Sequence, residues 1–477
     1  MTRFLGKLIS NLEGYAFSNW CNCQMCSAEL LEETREKVTA LLRDLIRIDT
    51  TNPPGNEIKA AEYLARTLEK DGFKCELFES KPRRGSLITR MRGTGEGPSL
   101  LLLSHLDVVH ANPKEWSVDP FAGTVRDGFV WGRGALDMKS MTAVEVMVMK
   151  LLKKERAKLK GDIILAATAD EEKGGEEGAG WLTCRHPEKI RADYVINEGG
   201  GLAIPVNGKS VYTVQTAEKG ILWFKVKAKG TPGHGSVPGA SDNAIIRMND
   251  VVGKLGRYRS KISLTPTVRQ FLAEMAKEHK AARKTCTKIL ENPATADSEL
   301  DELAKKDRIL AEEIRAKLRM TVTPTMIQGG VKENIIPSEC EAVFDCRVLP
   351  GQTTANAMDK IRNLLKSLGL EKLEFEIIQA NEPSESPLNT TLYREIMRAL
   401  LEFDPDCAVA PDMLTGGTDS RFLRKLGAVC YGFQPMRADM PYGELKSGIH
   451  GVDERISIDN LVFGTSVLYT VVKRFMT

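Results

Sequence analysis

The chain has 477 residues, of which 42% are hydrophobic and 27% charged, with a formal net charge of +3. That length exceeds one ordinary core and predicts a globular protein of two or three domains. The small net charge gives no electrostatic case for nucleic acid or an acidic membrane as partner, and no apolar run approaches the length needed to span a bilayer.

The first residues, MTRFLGKLISNLEGYAFSNW, start basic, but Asn11, Glu13 and Asn19 interrupt any signal-peptide core, so a cytoplasmic location is expected. The ten cysteines are spread widely, and free thiols are the expectation. Cys21, Cys23 and Cys26, in CNCQMC, are the exception. Three such cysteines could hold a metal, but zinc usually takes a fourth ligand and none is evident nearby. Residues 1–27 read as a surface tail with reactive thiols; a metal-binding or redox module is the alternative, which deleting the tail would test.

Residues 28–48 read as an amphipathic helix, with Leu31, Val38, Leu41, Leu42 and Leu45 near helical spacing. DTTNPPGNE breaks the chain, and a second helix is expected at about 57–71. LITRMRG and PSLLLLS read as strands, and DGFVWGRG as a hairpin arm entered through Asp127-Gly128. MTAVEVMVMKLLKK reads as a helix, and DIILAATA and ADYVIN as strands. Short apolar strands separated by helices predict a buried, mainly parallel sheet covered on both faces, an α/β domain.

From about 218 the rhythm changes. GILWFKVKAKG alternates like a half-exposed strand, followed by a helix (DNAIIRMNDVVGKL), two strands (VTPTMIQGG and CEAVFDCRV), a helix (TANAMDKIRNLLKSL) and a strand (LEFEIIQ). That order is the α+β ferredoxin-like pattern. A charged helical stretch from about 266 to 319 interrupts it, with Leu300, Leu303, Leu310, Ile314 and Leu318 on one face that should pack on something. From 382 the first style returns and ends in the helix SIDNLVFGTSVLYTVVKRF. The expected organisation is a tail (1–27), a larger domain in two parts (28–217 and 382–477) and an inserted domain (218–381).

In open α/β sheets, sites form at the carboxyl ends of strands. After LLLLS come His105 and Asp107, two apart on an extended chain and so on the same side. Asp137 stands just before a helix, Asp170, Glu171 and Glu172 follow IILAATA, Glu198 follows YVIN, and His450 precedes the last helix. Each has an ordinary explanation: a core histidine capped by a carboxylate, a helix cap, a solvated loop, a turn residue, a surface histidine. Those explanations do not account for so many ligand types at strand ends, nor for two of only six histidines standing there. Two histidines and three carboxylates suit zinc or a similar divalent ion. If one carboxylate bridges, five residues give each of two metals three ligands, as two-metal hydrolysis requires.

SHLDVV, DPFAGTVRDGFVWGRGALDMKS, ATADEEKGGEEGAGWL, NEGGG, GTPGHGSVPG, DCRVLPG, GGTDSRFL and GIHGVDE run in this order from about residue 50 to the end. Together they resemble the dinuclear zinc metallopeptidase family of aminoacylase, carboxypeptidases G and S, acetylornithine deacetylase and succinyl-diaminopimelate desuccinylase. The resemblance implies a zinc-peptidase catalytic domain with an inserted lid and dimerisation domain, and a homodimer through that lid. It implies that Asp137 bridges two metals, most commonly Zn²⁺ with Co²⁺ or Mn²⁺ as alternatives. Glu172 and His450 would bind one metal, His105 and Glu198 the other. Asp107 would orient His105, and Glu171 would be the general base toward a water between the metals.

From the lid, the resemblance makes His234 an oxyanion donor, typically from the neighbouring subunit. Asn334, Arg347 and the Gly417-Thr418 turn become candidates for holding the substrate's carbonyl or carboxylate, a task the guanidinium fork suits. An ordinary salt bridge remains an equal reading of Arg347. Glu198, where dipeptidase branches tend to show Asp, points to the carboxypeptidase and aminoacylase-like branches. The 266–319 insert departs from the compact lid, which leaves the subunit that supplies His234 open. The expected function is hydrolysis of a small amide substrate: an N-acyl amino acid or a C-terminal peptide bond. A dipeptidase is the alternative within the class, and a non-catalytic metal-containing binding protein the alternative outside it.

Overall fold

A computed structural model describes residues 28–477; Cys21, Cys23 and Cys26 lie outside the described residues. The chain forms two compact units. Among the described residues, one comprises the chain from residue 28 to Val214 with Pro387–Ala410 and Thr418–Thr477; the other comprises Gln215–Ser386 and Pro411–Gly417.

The first unit is built on a mixed sheet whose centre is parallel. Ile163–Thr168, Leu100–His105, Tyr194–Asn197 and Val429–Gly432 lie side by side in that order, each parallel to its neighbour. Gly85–Met91 and then Cys75–Glu79 extend it antiparallel at one edge. Four consecutive leucines fit the centre because both faces are covered. Leu100 and Leu102 pack into a core that includes residues of the helices Ala28–Arg47, Glu57–Glu69, Lys139–Lys154, Thr391–Phe403 and Ile458–Met476. Leu101 and Leu103 face the other way, among residues of Ala179–Arg185 and Ser420–Lys425. Full burial of each leucine is worth about 1.5–3 kcal/mol, so the strand that ends in His105 is among the most firmly held.

The second unit carries an antiparallel sheet in the order Thr321–Gly329, Glu339–Val348, Gly220–Lys229, Leu373–Asn381. With the helices Ala244–Gly256 and Thr354–Leu365 it follows the strand-helix-strand-strand-helix-strand order read from the sequence. The charged stretch forms four helices, Pro266–Glu278, Lys280–Glu291, Ala296–Ala304 and Arg308–Lys317. Leu300, Leu303, Ile314 and Leu318 are buried as their spacing demands, and Leu310 is half-buried. No described helix is long and apolar enough to cross a membrane.

Candidate metal centre

All five proposed metal ligands lie in the first unit. His105 ends the Leu100–His105 strand, and Glu198 follows Tyr194–Asn197, its parallel neighbour. Glu171 and Glu172 begin a short 3-10 turn just past Ile163–Thr168, the strand on the other side. Parallel pairing thus brings three strand ends to one edge. Asp137 comes from the loop between the hairpin strand Phe129–Trp131 and the helix Lys139–Lys154, and His450 from the loop before Arg455–Ser457.

A buried ion pair joins the last two loops. The fully buried Glu454 carboxylate accepts the backbone N–H groups of Gly134 (3.0 Å), Leu136 (2.6 Å) and Asp137 (3.0 Å) and binds Arg133 Nη1 at 2.7 Å. Arg133 Nη2 donates to the carbonyls of His450 (3.2 Å) and Gly451 (2.9 Å). His450 adopts φ 60, a left-handed backbone that a non-glycine residue holds only with such support.

The ligand atoms fall into two groups that share Asp137: His105, Asp137 and Glu198, and Asp137, Glu172 and His450, each within 4.8 Å. Asp137 Oδ1 is 3.0 Å from His105 Nε2, which is 3.8 Å from Glu198 Oε2. Asp137 Oδ2 is 3.0 Å from His450 Nε2, which is 3.3 Å from Glu172 Oε2. Tetrahedral zinc, with bonds near 2.0–2.1 Å, sets its ligand atoms about 3.3 Å apart. Glu172 Oε1 is buried without a hydrogen-bond partner among the described residues. The donor set, the spacing and this orphaned oxygen fit two divalent cations.

Electrostatics make the same case. Burial pushes the Glu198 carboxyl up to about 8, with Asp137 and Glu172 adding repulsion against the opposing pull of His105. Burial also drives Glu171 well above the ordinary carboxylate range, and Glu198 adds to it. His450 is raised to about 10, first by its bonds to Asp137 and Glu172. Burial would lower His105, but its carboxylate partners Asp107 and Asp137 outweigh it and hold the imidazole well up. Burial acts upward on Asp137 too, yet the bonds from His105 and His450 keep it below its usual value. This much buried negative charge needs cations to remain ionised at neutral pH.

Asp107 is fully buried and meets His105 in two ways: its carbonyl lies 3.0 Å from Nδ1, its carboxylate Oδ1 3.4 Å. The carbonyl is the nearer partner of the ring nitrogen, and the carboxylate adds its charge beside it. The carboxylate also accepts the backbone N–H groups of Glu171 (3.1 Å) and Glu172 (3.0 Å).

Thr418 is buried in the first unit, with its hydroxyl 3.3 Å from Asn197 Nδ2 and its carbonyl taking Arg421 Nη1 at 2.7 Å. The other candidates belong to the second unit. His234 is exposed, pairs across a short two-stranded sheet with Ile335, and has Nδ1 2.7 Å from Ser236 Oγ. Asn334 is exposed beside it, its carbonyl accepting Gly235 N–H at 2.8 Å. Arg347 grips Asp345 through Nε (2.6 Å) and Nη2 (2.9 Å), the salt bridge that was one of its two readings. Gly417 closes the Pro411–Gly417 segment.

Asn52, Arg133, Glu454 and Asp419 are buried around the centre and escaped the sequence reading. Asp419 lies 3.1 Å from Thr168 Oγ1, and burial pushes its carboxyl up to about 7. Glu454 and Asp419 stand inside GIHGVDE and GGTDSRFL, which is the signal that could have found them.

The chain is similar to known proteins in sequence and fold. Residues 101–474 match Peptidase family M20/M25/M40. Aminoacylase-1 of Sus scrofa is 27% identical over 405 residues, 83% of this chain and 86% of that protein. The N-fatty-acyl-amino acid synthase/hydrolase PM20D1 of Mus musculus is 26% identical over 387 residues, 77% of this chain and 72% of that protein. Among solved structures, the M20 family metallo-carboxypeptidase Sso-CP2 from Sulfolobus solfataricus superposes with a TM-score of 0.71 at 19% identity, covering 92% of this chain and 99% of that one. The family match over most of the chain, with the aminoacylase likeness, gives the conclusion: this chain belongs to Peptidase family M20/M25/M40 and is a metallohydrolase acting on amide or peptide bonds.

Proposed function

We propose that the chain hydrolyses the amide of an N-acyl amino acid, or a C-terminal peptide bond, using two divalent cations, with zinc preferred over cobalt or manganese. The observation that carries this is the pair of ligand groups sharing Asp137, with Glu171 left outside both and next in sequence to Glu172. Bound there, two cations would polarise the scissile carbonyl and make water acidic enough to attack near neutral pH. Asp137, Glu172 and His450 would hold one cation; Asp137, His105 and Glu198 the other.

Glu171 takes a proton from the attacking water and returns it to the leaving nitrogen. Burial raises its carboxyl, and cations bound at the site would oppose that shift and leave it ionised to accept the proton. His234 donates to the carbonyl oxygen as it gains charge. Arg347, Asn334, Gly417 and Thr418 hold the substrate's carbonyl or carboxylate. The chain acts as a homodimer through its second unit, whose edge strand Thr321–Gly329 exposes Met326 and Ile327. A cytoplasmic location accords with the seven described cysteines, all of them free thiols.

The relatives' names support the acyl-amino-acid reading. A panel of N-acetyl and N-fatty-acyl amino acids, dipeptides and longer peptides, each beside its C-terminal amide, assayed with Zn²⁺, Co²⁺ or Mn²⁺, tests it. Turnover of substrates with a free carboxylate on the amine side of the scissile amide is expected. Turnover confined to amides lacking that carboxylate would overturn it.

A further inference from the structure

A buried polar network lies behind the turn that carries Glu171. Asp170, which leads into the turn, holds φ 75, a left-handed backbone that costs an aspartate energy. Its carboxylate is gripped from three sides: Oδ1 by Arg84 Nη2 and by Asn52 Nδ2 (3.2 Å), Oδ2 by Glu177 N–H (2.9 Å). Arg84 Nη1 also lies 3.0 Å from Oε1 of the buried Glu57, whose carboxyl burial raises to about 7. Asp107 holds the same turn from the other side, through the N–H groups of Glu171 and Glu172. Asn52 Nδ2 also donates to Asp107 Oδ2, at 2.8 Å. One amide group therefore bridges both carboxylates.

That placement is chemically specific. A carboxylate oxygen accepts hydrogen bonds, and one amide nitrogen offers an N–H to each of the two without adding charge. Asn52 is 7% exposed, and its own N–H donates to Val108 O at 2.9 Å, beside the strand end that delivers His105 and Asp107.

We propose that Asn52 is a positioning residue for the catalytic base, fixing the Glu171 side chain by joining Asp107 to Asp170. This rests on reading Glu171 as the base. Removing Asn52 leaves two facing carboxylates with no donor between them and lets the turn shift, and misplacement by about 1 Å costs on the order of 10²-fold in rate.

The test is a double-mutant cycle on the metal-loaded protein, with kcat, KM, metal content and thermal unfolding read for every variant. Asn52→Ala should lower kcat about 10–10²-fold with KM and metal content unchanged, and Asn52→Ser, which keeps one donor, should lose less. In a Glu171→Gln background, Asn52→Ala should cost nothing further, because the group it positions is gone; a merely structural role would cost the same in both backgrounds. Equal loss in both backgrounds, or wild-type kcat in Asn52→Ala beside a crippled Glu171→Gln, overturns the inference alone. Failure of both Asn52 variants to fold or load metal makes Asn52 a structural residue and overturns it too. Wild-type kcat in Glu171→Gln removes the base assignment itself, and this inference with it.

Discussion

Glu171 and Glu172 are adjacent carboxylates to which the account gives different tasks. Glu172 Oε2 lies 3.3 Å from His450 Nε2, within a ligand group, whereas Glu171 belongs to neither group. Glu171→Gln should therefore leave metal content unchanged while kcat falls by about 10²–10⁴-fold, the usual range for a general base. Glu172→Gln should lower metal occupancy, read by elemental analysis of the purified protein. Exchanged phenotypes would mean the pair is assigned the wrong way round. Glu454 is the residue-scale test of architecture. Glu454→Leu strands a buried Arg133 and three backbone N–H groups, so denaturant unfolding should show a loss of about 3–5 kcal/mol. A change under about 1 kcal/mol, a surface-pair value, would show that the ion pair does not hold the Asp137 and His450 loops.

At the scale of elements, parallel strands gather acids at one edge of the sheet, and that has a pH signature in metal-free protein. Glu198, raised to about 8, and Asp419, raised to about 7, keep protons in the folded state that the unfolded chain releases at lower pH. Stability from such groups falls as pH rises from the ordinary carboxylate range through those values. His450, raised to about 10, contributes stability that is complete below the ordinary imidazole value and lost as pH climbs toward 10. Asp107 and Asp137 are lowered, so their contribution is already complete and adds no slope. Metal-free protein should thus lose stability between about pH 5 and 8. The gain in Tm on adding Zn²⁺ should widen over the same interval, since metals take deprotonated ligands. Metal-free stability that rises across this range would contradict the buried charge balance.

The same elements show what a sequence can and cannot reveal. Leu100–His105 was legible because four leucines in a row suit a strand covered on both faces, and its polar end is then a site by position. Lys209–Glu218 was missed because its mostly buried residues hide the alternation that marks a half-exposed strand. The Arg133–Glu454 pair was illegible for another reason. Its partners are 321 residues apart, and although each stands in a recognisable motif, nothing in the sequence pairs them. Asn52 likewise read only as part of a turn, because Asp107 and Asp170 stand 55 and 118 residues away.

At the scale of the whole molecule, the question is whether one chain holds a complete site. His234 belongs to the second unit and every proposed metal ligand to the first. If His234 of the partner subunit serves each site, mixing inactive His234→Ala with inactive Glu171→Gln should restore activity towards about a quarter of wild type per total site, for random pairing of symmetric dimers. No recovery, in a mixture whose subunits demonstrably exchange, would place His234 at its own chain's site or outside catalysis.

The central claim is that two cations held by His105, Asp137, Glu172, Glu198 and His450 are required for amide hydrolysis. Titrating metal-free protein with Zn²⁺ while following cleavage of an N-acyl amino acid or peptide that the native protein turns over tests it directly. Activity should be absent without metal and level off near two equivalents per chain. Full turnover in protein verified to be metal-free would contradict the account.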